Sequence, residues 1–278
     1  MDAPILYHYT SIETLYHILG VVHDEITLRA THASFMNDPI EYNYALSLLK
    51  ESMLEYEKRN NINEQSKIPY LFEENTFFLD FAKIGGEPYL LSFSAHQDDL
   101  SMWRAYGKDG TGVSIGFDSK MLEQYCEERK KERCNILLTK CKYDHDKIIT
   151  QLIQEWDKDY EDLNITEPAR GLGFNNANWF FIDKFFFEAK DKSYIQEQEF
   201  RLCQNEERED RIEFIVKGNL IVPFIEHKFK KSIIKKTIIG PSSNSEQVEQ
   251  ALKLFLRKFN YCDNNDIVER SKIQYRSV

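Results

Sequence analysis

Two short apolar runs, Ile212 to Val216 and Asn219 to Ile225, face each other across Lys217-Gly218. Such a pair reads as a β-hairpin, which makes its strands antiparallel. The rest of the chain mingles strand and helix patterns with no regular βαβ repeat. Together these features predict an α+β fold with a split, mostly antiparallel β-core and helices packed around it. No internal repeat, low-complexity tract or linker divides the chain, so residues 1–278 read as a single domain.

The other elements follow from period and punctuation. Strands are expected at Ile5–Tyr9, Glu25–Ala30, Tyr89–Ala95, Val113–Phe117, Cys134–Tyr143, Ile233–Ile239 and Asp266–Tyr275. A helix should start at Thr10, with Glu13 closing a capping box, and stop at Gly20. Asp38-Pro39 should open a second helix running to about Glu57. Further helices are expected at Tyr70–Lys83, at Leu100–Tyr106 behind a cap at Asp98 or Asp99, and at Lys120–Lys131. Asp144–Leu163 carries the stripe Ile148, Ile149, Leu152, Ile153 and Trp156. Asn164–Asn178 reads as a loop and Trp179–Ala189 as a buried helix. Ser243 or Asn244 should begin the last helix.

Bulk properties narrow the function classes. The chain has 278 residues, 42% hydrophobic and 29% charged, enough to bury a substantial core. Its net charge of -10 argues against a general nucleic-acid binder, whose affinity rests on neutralising phosphates. Lys230, Lys231, Lys235 and Lys236 form the best candidate basic patch, or are simply solvated. The first residues show no signal peptide, and no apolar run reaches the length of a membrane span. The 5 cysteines are odd in number and irregularly spaced, which fits a reducing, cytoplasmic setting. With 19 Phe and 15 Tyr, aromatic pocket walls are plentiful.

Lys190 to Cys203, K-D-K-S-Y-I-Q-E-Q-E-F-R-L-C, also reads as a strand. Alternation then puts Ile195, Glu197, Glu199 and Arg201 on one face, with neighbours roughly 6–7 Å apart. Two carboxylates and a guanidinium in a row can surround a cationic or polar ligand; on spacing alone the bland reading comes first, because an isolated charged strand face is usually just solvated. The phosphate-loop, dinucleotide and nucleophile-elbow signatures are absent, and Cys134, Cys141 and His145 lack zinc-site spacing.

Six further motifs stand out: Tyr7-His8-Tyr9-Thr10, Phe35 to Glu41, Leu91 to Ser94, Met102 to Gly107, Glu197 to Arg201 and Ile238 to Pro241. Each has a bland reading. His8 can be a satisfied core histidine, Trp103 and Tyr106 core aromatics, and Ser92 and Ser94 solvent-facing hydroxyls. In combination and in this order, through the closing Ser271 to Arg276, they resemble a bacterial family known as domain of unknown function 2971. That family in turn resembles a divergent branch of the ADP-ribosyltransferase superfamily.

The resemblance implies a split antiparallel core that grips NAD and cleaves its nicotinamide–ribose bond. It implies that His8 holds the adenosine ribose and that Tyr9 and Thr10 meet the nicotinamide amide. Ser92 and Ser94 resemble the serines that frame nicotinamide, and Trp103 or Tyr106 supplies the stacking ring. Glu199 matches the catalytic acid and Glu197 the carboxylate near the acceptor; Arg201 would keep Glu199 ionised or hold a phosphate. The implied activity is that of an ADP-ribosyltransferase or NAD glycohydrolase, in a toxin or phage-defence effector, with no metal. The acceptor is left open between protein, nucleic acid and water. A non-catalytic module that keeps the same pocket for a nucleotide or partner is the alternative.

Overall fold

The computed structural model describes residues 4–20, 24–36, 41–60, 86–132, 134–163, 184–241, 244–261 and 267–275. Ten strands among them form one sheet. They are β1 (Ile5–Thr10), β2 (Glu25–His32), β3 (Glu87–Ser94), β4 (Val113–Asp118), β5 (Asn135–Lys140), β6 (Glu199–Glu206), β7 (Glu213–Lys217), β8 (Leu220–Lys230), β9 (Ile234–Ile239) and β10 (Val268–Arg270). The helices are α1 (Ile12–Leu19), α2 (Glu41–Arg59), α3 (Leu100–Ala105), α4 (Ser119–Lys131), α5 (His145–Leu163) and α6 (Ser245–Lys258). The expected helix at Tyr70–Lys83, the cap at Asp38, the loop at Asn164–Asn178 and most of the helix from Trp179 lie outside the described residues.

The sheet runs β10-β9-β4-β1-β3-β2-β8-β7, with β6 along β3 and β5 along β6. The strand pairs are antiparallel apart from β9 with β10. The mostly antiparallel mixed fold expected from the hairpin pattern is therefore present. It also parts in the middle. β3 pairs with β6 along its whole length, from Glu87↔Glu206 to Ser94↔Glu199. Its other edge is shared: β2 takes Tyr89 and Leu90, and β1 takes only Ser94. Between these contacts, Leu91 to Phe93 have no strand partner on that side among the described residues, and a gap opens there.

Alternation fills one face of the sheet with the main core. Leu6, Leu28, Leu91, Phe93, Ile115, Phe117, Phe200 and Leu202 are buried there, covered by Leu15 and Leu19 of α1, Leu122 of α4 and Leu252 and Leu256 of α6. β6, flanked by β3 and β5, is buried at every position, so polar groups on it must find partners inside the protein.

Several boundaries differ from the sequence pattern for identifiable reasons. Thr10 does not cap α1; it belongs to β1 and pairs with Val113, so the cap passes to Ser11, whose hydroxyl accepts from Thr14 N at 3.0 Å. Asp99 caps α3 as anticipated, while Asp98 accepts from Trp103 Nε1 (2.7 Å), Ser271 Oγ (2.7 Å) and Lys272 N (2.8 Å), tying the last residues to α3. The final strand shrinks to Val268–Arg270 and runs parallel to β9.

The largest correction concerns Lys190 to Gln198, which is not strand. Lys192–Glu197 form a 3-10 helix capped by Asp191, which accepts from Ser193 N at 2.8 Å. Gln198 turns left-handed (φ 42, ψ 51), and β6 begins only at Glu199. Three of the four lysines at 230, 231, 235 and 236 are engaged by neighbouring groups. Lys231 donates to Phe259 O, Lys235 to Ser232 O, and Lys236 pairs with Glu269. No helix among the described residues is long and apolar enough to cross a membrane.

Candidate functional site

The gap between β1 and β2 is the floor of a cleft of about 250 Å³. Of the residues singled out from the sequence, His8, Tyr9, Ser92, Ser94, Tyr106, Glu197 and Glu199 line it. Residues from the two ends of the chain thus meet around one space. Thr10, Trp103 and Arg201 are not among the lining residues.

The two glutamates reach the cleft by different routes. Glu199 sits at the start of β6, opposite Ser94 of β3. Its carboxylate is gripped by Arg201, Nε to Oε1 at 3.0 Å and Nη2 to Oε2 at 2.9 Å, and by Lys190 Nζ at 2.5 Å. Cys141 Sγ lies 3.5 Å from the same Oε2, and Tyr143 Oη accepts the Glu199 backbone N–H at 2.9 Å. Burial alone would raise this carboxyl, but Arg201 and Lys190 outweigh it and hold it down to about 2. Arg201 also donates to Phe187 O at 3.1 Å, so its guanidinium is committed to the interior.

Glu197 ends the 3-10 turn at the cleft. Tyr106 donates to its Oε1 at 2.7 Å and Lys190 to its Oε2 at 2.5 Å. Burial and this bond to a carboxylate both push the Tyr106 phenol well above its ordinary value, so it stays a donor. The turn itself is fixed by Ser94, whose hydroxyl donates to Glu197 O at 2.6 Å and accepts from His96 N at 3.0 Å. The side chain of Glu197 is 14% exposed against 5% for Glu199, so Glu197 is the more accessible acid.

His8 enters from the other side of the sheet. Tyr7 and Tyr9 flank it on β1 and pack with Trp103 on the cleft face, so alternation turns His8 toward the core, edge-on to Phe93. It reaches the cleft only because the sheet parts there. Its Nδ1–H donates to Ser92 O (2.9 Å), a carbonyl on the unpaired stretch of β3, which leaves Nε2 as an acceptor. Burial lowers its pKa, partly offset by that bond, so the ring is neutral at pH 7. Ser92 Oγ is enclosed and has no hydrogen-bond partner among the described residues.

Two other candidates also hold neighbouring elements in place. Tyr9 Oη donates to His96 O (3.0 Å) and accepts from Asp99 N (3.1 Å), which fixes the loop before α3. Trp103 is fully buried against Tyr9, ring centroids 4.8 Å apart. Of the two aromatics proposed for stacking, Tyr106 is therefore the one at the cleft. Lys190, which bridges both acids, was not anticipated; a strand reading of its stretch hides it, whereas the Asp191-Lys192-Ser193 cap signature marks where the turn begins. Arg29 and Tyr194 also line the cleft without any sequence signal. No group of three or more metal-binding side chains occurs among the described residues.

Residues 102–202 match the model of a family described as a protein of unknown function (DUF2971). The matched span runs from α3 into β6, so it contains Tyr106, Lys190, Glu197, Glu199 and Arg201 and leaves His8 and Ser92 outside. No curated protein and no solved structure matches the chain.

Proposed function

We propose that the cleft binds NAD and cleaves its nicotinamide–ribose bond, passing ADP-ribose to water or to an acceptor. The observation that carries this reading is the meeting of His8, Ser92 and the Glu197–Glu199 pair around one gap in the sheet. A cleft of about 250 Å³ takes one end of a dinucleotide rather than the whole, with the remainder lying along the open side.

Cleavage builds positive charge on the ribose C1 and its ring oxygen. An ionised carboxylate fixed beside that charge favours the transition state over the ground state. Glu199 is ionised at any working pH, but Arg201 and Lys190 cancel its charge. Glu197 is the acid with access to a substrate, and its Tyr106 and Lys190 bonds hold it in one place. We assign it the contact with the reacting ribose, and Glu199 the task of anchoring Lys190. The unpartnered Ser92 hydroxyl and the open edge of β3 suit the nicotinamide amide, the Tyr106 ring its face, and His8 Nε2 a ribose hydroxyl. Arg29 is half-exposed at the rim and suits the pyrophosphate. The family resemblance supports the roles of His8, Ser92 and Tyr106 and, further out, a toxin or phage-defence effector. It gives the catalytic acid to Glu199, and the burial and ion pairs of that residue are the reason for assigning the contact to Glu197 instead.

A second reading is favoured by one feature of the cluster. Two acids and two bases balance, so neither carboxylate carries an uncompensated charge toward a reacting ribose, and the cluster serves equally to shape a binding pocket. Incubating the protein with NAD and separating the products by chromatography distinguishes the two. Released nicotinamide with ADP-ribose, free or attached, supports the enzyme. NAD that binds, by calorimetry, but returns intact supports the module, and no binding at all rejects the enzyme and any module built for NAD.

A further inference from the structure

The sheet ends at β7, and among the described residues no strand pairs with its outer edge. An unpaired edge is a template for another strand, and proteins usually blunt it. Here Phe214 and Val216 on the edge strand are 64% and 71% exposed, and Ile221 beside them on β8 is 66% exposed. The sequence of β7, Glu213-Phe214-Ile215-Val216-Lys217, is complementary to its own reverse: opposite charges at the ends, apolar residues between.

We propose that two copies of this chain associate through β7, strand against strand and antiparallel about Ile215, forming a two-fold dimer with one continuous sheet. The hydrogen-bonding phase of the edge fits. Gly218 (φ 61) and Asn219 make a two-residue turn, so Lys217 and Leu220 are the bonded closing pair. Glu213, Ile215 and Lys217 therefore turn their backbone groups toward β8, and Phe214 and Val216 turn theirs outward. Pro223 falls opposite Phe214, at a position where no N–H is required of it.

Pairing about Ile215 sets Phe214 of one copy opposite Val216 of the other, so these outward groups exchange both backbone bonds. The same register sets each Glu213 opposite Lys217 of the other copy and lines up Phe214, Val216 and Ile221 of both as one apolar strip. A shift of register leaves a charge facing an apolar residue, and a parallel arrangement brings like charges together.

The test is self-association of the full chain, followed by sedimentation velocity over a range of concentrations. A strand of 5 residues makes an interface below the standard size, so a dimer is expected to form at roughly 10–500 µM. Glu213→Lys and Lys217→Glu should each weaken it by about tenfold or more. The double variant, which exchanges the two charges, should restore it. A chain that stays monomeric throughout, a dimer indifferent to the single changes, or a double variant no better than the singles would each overturn the proposal. Because the readout is assembly, it is independent of whether NAD is consumed.

Discussion

Arg201 grips Glu199 through two parallel bonds of 3.0 and 2.9 Å, although both belong to the same strand and both are almost wholly buried. Such a pair is costly to break and gives little net stability when whole. It fixes one carboxylate so that Lys190, reaching from the neighbouring turn, holds the second acid at the cleft.

The two glutamates should therefore fail differently when neutralised. Glu197→Gln keeps an acceptor for Tyr106 and should cost only about 1 kcal/mol in urea unfolding. If it contacts the reacting ribose, nicotinamide release should fall by about a hundredfold or more. Glu199→Gln takes the carboxylate charge away from buried Arg201 and leaves Lys190 to Glu197 alone, and should cost roughly 3 kcal/mol. Urea titrations beside a nicotinamide assay check both; a Glu197→Gln protein at full rate removes it from the chemistry.

Acid should destabilise the protein in two stages. Burial pulls His227 from 6.5 down to about 3, with Arg129 and Arg211 adding to the effect. Its folded pKa is depressed, so the unfolded chain binds more protons below 6.5 and stability falls as pH drops from there toward 3. The full effect is on the order of 5 kcal/mol. Glu199, lowered from 4.5 to about 2, contributes stability that is complete above 4.5 and is lost as pH falls toward 2. Unfolding free energies measured from pH 7 to 3 should show the first stage, and His227→Gln should flatten it while the decline below 4.5 persists.

How far the sequence foretold this site depends on how local each signal is. The β7–β8 hairpin, the Asp99 cap and the Gly20 stop are written in adjacent residues, and all three are found. The stretch from Lys190 to Gln198 misleads because it is too short for a period of two, as in a strand, to be told from a period of three, as in a 3-10 turn. Only the Asp191 cap and the left-handed Gln198 tell them apart. His8 is marked by the Tyr7-His8-Tyr9-Thr10 motif and the resemblance it carries, not by strand phase: its phase on β1 points away from the cleft, and only a break in strand pairing far along the chain brings it in. Lys190 acquires its place from tertiary packing that no spacing encodes.

Tyr106 offers a finer probe of the same cluster. It donates to Glu197 from beyond the end of α3, joining two segments distant in sequence. Tyr106→Phe keeps the ring but removes the donor, leaving Glu197 to Lys190. Stability should fall by about 1 kcal/mol. Any nicotinamide release should drop by roughly tenfold, with the larger change in kcat if the bond matters to the transition state. An unchanged kcat would reduce Tyr106 to a wall of the cleft.

The glycines near the end of α3 make the last test, because two of the motifs meet there. Gly112 donates to Gly107 O and accepts from Gly240 N, both at 2.9 Å, so the loop after α3 and the end of β9 touch backbone to backbone. A Cβ on Gly112 would sit 2.2 Å from Thr10 O and 2.8 Å from Gly107 O, and neither backbone oxygen can swing away. Gly112→Ala should therefore cost more than about 3 kcal/mol. Gly218, by contrast, needs its glycine only for a φ of 61 and has open space around it. Gly218→Ala should cost about 1 kcal/mol. Thermal melts of the two variants side by side should separate crowding from backbone strain, and equal losses would refute the close approach at Gly112.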